Sequence, residues 1–282
     1  NIQGISFAIR GNYDKALEYY SKSLAIYKEL GDKRGMGNSN NNIGLIYKDQ
    51  GNYEKAIEYF SKSLAIREEI GDKKGMADSY NNIGLIYWSQ DNNEKALEYY
   101  SKSLVIRKEI GEKKGMGSSC NNIGNIYNIQ GDYEKALEYY AKSLAIRKEQ
   151  GDKKGMASSY NSIGVIYKEQ GNYEKALEYY LKSFAISKEL GDKKGTGGSC
   201  HNIGNIYLLQ GNYEKALEYY SKSLAIRKEI GDKPGMADSY GCIGIIYKNQ
   251  ANFDMPKLCR LRLLLRQSLR NLVLLLWQIL KL

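Results

Sequence analysis

Apolar residues between positions 76 and 87 recur at the spacing of one helical face. Their positions correspond to i, i+4, i+7, i+8 and i+11 of an α-helix. This stripe consists of Met76, Tyr80, Ile83, Gly84 and Tyr87. A second stripe of the same kind consists of Tyr53, Ala56, Ile57, Phe60 and Leu64. The pattern predicts two kinds of amphipathic helix, each with one face that is buried against a partner.

A block of forty residues repeats along the chain. The string Lys-Ala-Leu-Glu-Tyr, once with Ile in place of Leu, begins at Lys15, Lys55, Lys95, Lys135, Lys175 and Lys215. A period of this length is typical of a solenoid, in which each unit buries its apolar face against the next one. Gly84 recurs in the units inside the first predicted helix, where a glycine costs about 1 kcal/mol. Its placement therefore predicts close approach of the second helix.

Gly, Asn and Asp residues mark the predicted helix ends. Gly51 and Gly71 suit the left-handed residue after a helix, whereas Asn52 and Asp72 suit the N-cap of the next one. Pro234 falls in the first turn of a predicted helix, where its missing N–H does no harm. The connections are predicted to be only one or two residues long, so adjacent helices should run antiparallel.

The repeat resembles the tetratricopeptide signature Trp-x2-Leu-Gly-x2-Tyr, which is followed by Ala-x3-Phe. Matching residues are Tyr80, Ile83, Gly84 and Tyr87 in the first part, and Ala96 and Tyr100 in the second. The six residues beyond the usual period lengthen the second helix as far as the turn at Gly71. This form is similar to the repeats of the spindle-orientation adaptor family and, more loosely, of kinesin light chains. The resemblance implies an all-α fold, a right-handed α-solenoid of antiparallel helix pairs (a TPR superhelix).

The predicted repeat array covers residues 1–254. It comprises a partial first repeat 1–30, repeats 32–70, 72–110, 112–150, 152–190 and 192–230, and the first helix of a seventh, 232–250. The chain begins inside a repeat, so we expect it to be a piece of a longer protein. Residues 255–282 are a Leu/Arg-rich tail without the repeat. We interpret this tail either as a frameshift product or as a native capping helix.

The net charge of +10 is concentrated in the tail. Without the six basic residues that follow Met255, 36 basic and 32 acidic residues remain, a net charge of +4. The repeats therefore carry no basic face, and we expect no nucleic-acid partner. Membrane contact is expected only through residues 258–282, whose apolar run 272–277 is too short to span a bilayer. The exposed Leu residues of the tail also predict a tendency to self-associate.

The resemblance implies that partners bind in a concave groove lined by the first helix of each pair. In the unit 72–110, the residues that point away from the apolar stripe are Asp78, Asn81, Asn82, Leu85, Trp88 and Ser89, and Asn recurs at the position of Asn81 in three other units. The candidate partner-binding residues are Asn41, Asn42, Asn81, Asn82, Trp88, Asn121, Asn122, Asn125, Asn161, Lys168, His201, Asn202 and Asn205. An Asn amide offers both a donor and an acceptor to the backbone of an extended peptide. Alternatively, these amides are solvated or bond to each other between repeats.

A second period, of eighty residues, overlies the first. Cys120 and Cys200 alternate with Tyr at the equivalent position, and Asn125 and Asn205 accompany the Cys units. We therefore interpret the array as copies of a two-repeat block. Partner contacts are expected at every second repeat, roughly 20 Å apart if helices pack at 8–10 Å. A long extended segment, or a partner with its own repeated motif, would fit best.

No residue pattern points to catalysis, a cofactor or a metal. His201 is the only histidine, and we interpret it as a surface replacement in an Asn column. One His cannot supply a typical zinc site. Cys120 and Cys200 are predicted to be small core residues, and the unpaired spacing of the four cysteines indicates a reducing, cytoplasmic setting. The chain is predicted to be a non-enzymatic scaffold that binds a protein or extended peptide, or alternatively the sensor arm of a larger signalling protein.

Overall fold

The computed structural model describes residues 13–250, which form twelve helices and short connections without any β-strand. The helices are α1 (Tyr13–Glu29), α2 (Lys33–Asp49), α3 (Tyr53–Glu69), α4 (Lys73–Ser89), α5 (Asn93–Glu109), α6 (Lys113–Ile129), α7 (Tyr133–Glu149), α8 (Lys153–Glu169), α9 (Tyr173–Glu189), α10 (Lys193–Leu209), α11 (Tyr213–Glu229) and α12 (233–250). The fold is an all-α repeat solenoid, as predicted. Residues 1–12 of the predicted first repeat and the predicted tail 255–282 lie outside the described residues.

The helix ends have the predicted caps. The Asn52 side chain accepts a hydrogen bond from the backbone N–H of Lys55, and Gly51 has a left-handed φ of 75°. Asp72 caps α4 in the same way, after Gly71 with a φ of 66°. Three residues separate α2 from α3, rather than the expected one or two. The difference arises because the C-cap residue, the glycine and the N-cap residue all lie outside the two helices.

In four described helix pairs, a glycine on the first helix faces a large ring on the second. A Cβ atom on Gly44 would lie 2.7 Å from the Phe60 ring, and one on Gly84 would lie 2.9 Å from the Tyr100 ring. Atoms cannot approach so closely without a shift of the ring. The predicted close approach of the two helices is therefore confirmed. In the second stripe, Ala56 and Phe60 are fully buried, whereas its other members are partly buried.

The lengthened second helix joins consecutive repeats. Arg67, near the end of α3, is only 6% exposed. Its guanidinium donates to the Gly75 carbonyl oxygen at 2.6 Å and to Ser79 Oγ at 3.1 Å, both in α4. Arg147 and Arg227 make the equivalent bonds at their own junctions. We call this arrangement the arginine clamp, because it ties the second helix of one repeat to the first helix of the next.

Two described junctions have no such arginine, and at the first of them Tyr27 of α1 stands at its position and packs against Gly35 of α2. At the equivalent position in α9 the residue is Ser187, which is 2% exposed. The junction between α9 and α10 keeps the buried hydrogen bond between Ser183 and Ser199, at 3.2 Å. It therefore relies on this hydroxyl pair and on apolar packing rather than on a charged group.

The chain divides into two compact units, residues 1–170 and 171–282. In the first unit, helices α1 to α8 pack consecutively, each against the next. In the second unit, α9 packs on α10 and α10 on α11, and α12 contributes the buried Ile246 to a core with Ala216 and Tyr220. The first unit thus contains three complete helix pairs, α2 with α3, α4 with α5 and α6 with α7, and the second unit contains one, α10 with α11.

Candidate functional site

The predicted partner-binding residues lie on the first helices α2, α4, α6, α8 and α10. Almost all of them are half-buried, and Trp88 is the most exposed at 38%. Lys168 is the only charged side chain among them, and its ammonium pairs with Glu169 at 2.8 Å. We call the surface formed by these residues the first-helix surface. It is a neutral surface dominated by side-chain amides.

Two pairs of Asn side chains bond to each other across consecutive first helices. Asn82 Nδ2 donates to Asn41 Oδ1 at 3.0 Å, and Asn122 Nδ2 donates to Asn81 Oδ1 at 3.1 Å. The alternative that these amides bond to each other between repeats is therefore confirmed for these four residues. Each bond uses one donor and one acceptor, so these amides orient the first helices of neighbouring repeats.

This ladder of Asn pairs is interrupted at the next step in the first unit. Ser162 stands where the pattern would place the donating Asn. As a result, Asn121 Oδ1 is buried and has no hydrogen-bond partner among the described residues. The Ser162 side chain bonds instead to the hydroxyl of Tyr140, which donates to Asn125 Oδ1 at 2.7 Å. Burial raises the pKa of Tyr140 to about 12, so the phenol stays a donor.

The second unit contains the same arrangement eighty residues later. The Tyr220 hydroxyl donates to Asn205 Oδ1 at 2.6 Å and also hydrogen-bonds Cys242, the equivalent of Ser162. His201 takes the place of Asn121. Its Nδ1 atom is buried without a partner in the described part of the chain.

His201 is half-buried, as are Asn41, Asn81, Asn121 and Asn161 at the same position of other first helices. Its ring packs against the Tyr220 ring with centroids 5.3 Å apart. Burial, and secondarily the charge of Arg227, lowers the pKa of His201 below its usual value. The imidazole is therefore neutral at physiological pH and adds no charge to the first-helix surface.

A small cavity lies between the first helices α4 and α6. Its volume is about 30 Å³, and it is lined by Leu85, Trp88, Tyr100, Asn122 and Asn125. The cavity brings together three of the predicted residues, Trp88, Asn122 and Asn125. It is large enough for a water molecule or for the tip of a small side chain. Asn42 and Asn202 are the equivalents of Asn122 in other first helices, Asn161 is the equivalent of Asn121, and all three lie outside this cavity.

The sequence pattern did not single out Tyr140, Ser162 or the exposed apolar residues at the ends of α6 and α10. Ile129 is 55% exposed and Leu209 is 53% exposed. The equivalent residues in the other full repeats are Asp49, Ser89 and Glu169. The eighty-residue period contains a signal for Ile129 and Leu209, since among the full repeats an apolar residue appears at this position only in the two that contain Cys120 and Cys200.

The two thiols of those repeats are buried, as predicted for small core residues. Burial raises the pKa of both Cys120 and Cys200, which keeps them as neutral thiols. Among residues 13–250 no group of three or more His, Cys, Asp or Glu side chains could hold a metal ion. In the same range, no helix combines the length and apolar character that crossing a bilayer requires. Cys259 lies outside the described residues.

Stacked helix pairs with an amide-lined surface on their first helices define a helical repeat protein of the α-solenoid class. Tetratricopeptide repeats match residues 1–69, 35–109, 116–189 and 199–255. The chain therefore belongs to the tetratricopeptide repeat family. No match was found among curated protein sequences.

Three solved structures illustrate the proteins to which this chain is similar. A STAND protein (signal transduction ATPase with numerous domains) with a tetratricopeptide repeat sensor, from Pyrococcus horikoshii, is 24% identical with a TM-score of 0.74, over 88% of this chain and 38% of that one. A Rap protein complexed with competence and sporulation factor is 17% identical with a TM-score of 0.61, over 89% and 74%. Putative kinesin light chain TPR-like repeats from Podosopora anserina are 17% identical with a TM-score of 0.58, over 70% and 96%. At these identities the likeness shows the fold, including the expected similarity to kinesin light chain repeats.

Proposed function

We propose that this chain is a cytoplasmic, non-catalytic scaffold that binds an extended peptide or a partner protein on its first-helix surface. The observation that carries the proposal is the cavity between α4 and α6, where the exposed Trp88 borders two half-buried amides. An aromatic side chain beside paired donors and acceptors is a common setting for peptide recognition. The Rap protein in complex with competence and sporulation factor supports a peptide as one class of ligand.

The neutrality of the surface supports an uncharged segment as ligand. The residues at the position of Asn81 in the other first helices are Asn, His or, in α12, Gly, so no lysine is available there to pair with a carboxylate. A clamp for a peptide C-terminus would need such a cation. We therefore expect the ligand to be held through its backbone and its apolar side chains.

Affinity capture followed by mass spectrometry tests this function with two matched variants. Trp88→Glu places a charge on the first-helix surface, and Val105→Glu places the same charge on α5, where Val105 is 65% exposed. Proteins captured by the parent chain should be lost with Trp88→Glu and retained with Val105→Glu. Circular dichroism should show equal helix content for the three proteins. Retention of every partner by Trp88→Glu would contradict the proposed surface.

A second candidate function is a sensor arm of a larger signalling protein. It is favoured by the likeness to the STAND protein with a tetratricopeptide repeat sensor, of which this chain covers only 38%. Sequencing the complete gene distinguishes the two functions. An ATPase, kinase, cyclase or DNA-binding module in the same reading frame would favour the sensor, whereas an array without one would favour the scaffold.

A further inference from the structure

Two buried polar atoms on the first-helix surface lack a partner, and they occupy equivalent positions. They are Asn121 Oδ1 in the first unit and His201 Nδ1 in the second. At the same position in earlier repeats, Asn41 and Asn81 accept a hydrogen bond from the next first helix. A buried acceptor without a donor is unfavourable, and native structures rarely keep one unless a ligand or water satisfies it.

Asn121 and His201 lack a hydrogen-bond donor for the same reason in the two units. The donating Asn of the next repeat is replaced by Ser162 in one case and by Cys242 in the other. Both shorter side chains bond to a tyrosine hydroxyl, of Tyr140 and Tyr220 respectively. The chain itself therefore supplies no donor to Asn121 or His201 within the described residues.

An exposed apolar side chain accompanies each of these atoms. Ile129 follows Asn121 by eight residues, and Leu209 follows His201 by eight, which places each pair on one face of its helix. In the repeats of Asn41 and Asn81, whose amide oxygens have donors, this position holds Asp49 and Ser89 instead. The missing donor and the exposed apolar group thus occur together, at two places, and not in the repeats where the ladder is intact.

From this coincidence we infer that each unit contains one subsite for an uncharged, extended peptide of a partner protein. The peptide donates a backbone N–H to Asn121 or His201 and places an aliphatic side chain on Ile129 or Leu209. The inference rests on the proposed function, because it specifies the ligand of the first-helix surface. Asn121, Asn125, Tyr140, Ser162 and Ile129 carry no charge, which matches a peptide without charged residues in the contacting segment.

The helix geometry also predicts the spacing between the two contacting residues of the peptide. Eight residues of α-helix span about 12 Å, and an extended chain advances about 3.3 Å per residue. A peptide lying alongside the helix should therefore carry its aliphatic residue about four positions from the residue whose N–H is bound.

A display library of random twelve-residue peptides, selected against the full chain, provides the probe. The strongest peptide is synthesised and titrated by calorimetry, with two equivalent sites per chain as the expected result. Ile129→Ser and Leu209→Ser should each weaken one site about tenfold or more, as expected when an apolar contact is lost. The double variant should weaken both, and Val105→Ser, which removes an exposed apolar group elsewhere, should leave both unchanged.

Ser162→Asn tests the unpaired acceptor directly. The new amide would reach Asn121 as Asn122 reaches Asn81, at about the 3.1 Å seen there. This variant should fold with equal or greater thermal stability and yet lose one of the two sites. Loss of a site without loss of stability distinguishes competition for the acceptor from damage to the fold.

Three outcomes would overturn the inference. They are a selection that yields no binding peptide, a peptide that binds all variants equally, and a single site that is insensitive to both Ile129 and Leu209. In the last two cases the Trp88→Glu capture experiment can still succeed, so failure of the subsites is distinguishable from failure of the proposed function.

Discussion

The Tyr140 hydroxyl donates a 2.7 Å hydrogen bond to Asn125 Oδ1, whereas two repeats earlier Phe60 and Leu45 hold the equivalent positions and belong to one apolar cluster. Tyr140 with Asn125 is therefore a polar contact between first and second helix, and Phe60 with Leu45 is the apolar contact at the equivalent place.

Replacing only one member of the polar pair should therefore destabilise the fold. Tyr140→Phe leaves the Asn125 oxygen without its donor, so we expect the free energy of unfolding to fall by about 1–3 kcal/mol. The double variant Tyr140→Phe with Asn125→Leu recreates the Phe60 and Leu45 pair and should recover most of that loss. Urea denaturation, monitored by circular dichroism, measures the free energy of unfolding of the single and the double variant. Additive losses in the double variant would show that the two positions are not coupled.

The glycines that face a ring should not tolerate a methyl group. In Gly84→Ala the new Cβ would lie 2.9 Å from the Tyr100 ring, and overpacking of this kind typically costs about 1–3 kcal/mol. Gly198→Ala in α10 is the matched control, since a Cβ there meets nothing within 4 Å. We expect it to gain up to about 1 kcal/mol from helix propensity. Thermal melts of the two variants should therefore shift in opposite directions, and shifts of the same sign would contradict the close contact.

The junction between α9 and α10, where Ser187 stands in place of the clamp arginine, should be open to stabilisation. Ser187→Arg would place a guanidinium where Arg147 donates to the next first helix. Hydrogen bonds from a charged group contribute about 1.5–3 kcal/mol, so amide protons of α10 should exchange more slowly. The reverse change, Arg147→Ser, should speed exchange in α8. Unchanged exchange in both variants would show that the clamp does not hold the repeats together.

The half-buried His201 predicts a pH dependence of stability. Because the pKa of His201 is lowered from 6.5 in the folded chain, the unfolded chain takes up a proton first as the pH falls. The stabilisation is complete above about pH 6.5 and declines as the pH drops toward the folded pKa. His201→Asn, which matches the other first helices, should lose less stability than the parent chain between about pH 7.5 and 5. Chemical denaturation at several pH values measures the difference, and parallel curves would contradict it.

Much of the fold could be read from the sequence because its determinants are local. The caps at Asn52 and Asp72 and the turn at Gly51 depend on neighbouring residues, and the role of Gly84 follows from its recurrence inside a helix. The lengthened second helix was predicted from the repeat length. Its arginine clamp was not, since that requires knowing that Arg67 reaches the carbonyl of Gly75 in the following helix.

The candidate site was less predictable, because its hydrogen bonds connect residues far apart in sequence. Asn81 and Asn121 look alike in the sequence, yet only Asn81 has a donor, which comes from Asn122 in the next repeat. Likewise, the burial of His201 depends on the ring of Tyr220. Columns of identical residues predict a common surface, but the atoms that remain unsatisfied depend on which residue the neighbouring repeat contributes.

The arginine clamp has a consequence for how such a gene can change in length. Each clamp uses atoms of only two adjacent repeats, so unequal recombination in whole repeats would leave every remaining junction intact. Duplication of the eighty-residue segment 112–191 would copy Asn121, Ile129 and Ser162 together. Arrays of different length could thus arise in one step, and their valency for a multiply repeated ligand would rise with each copied block.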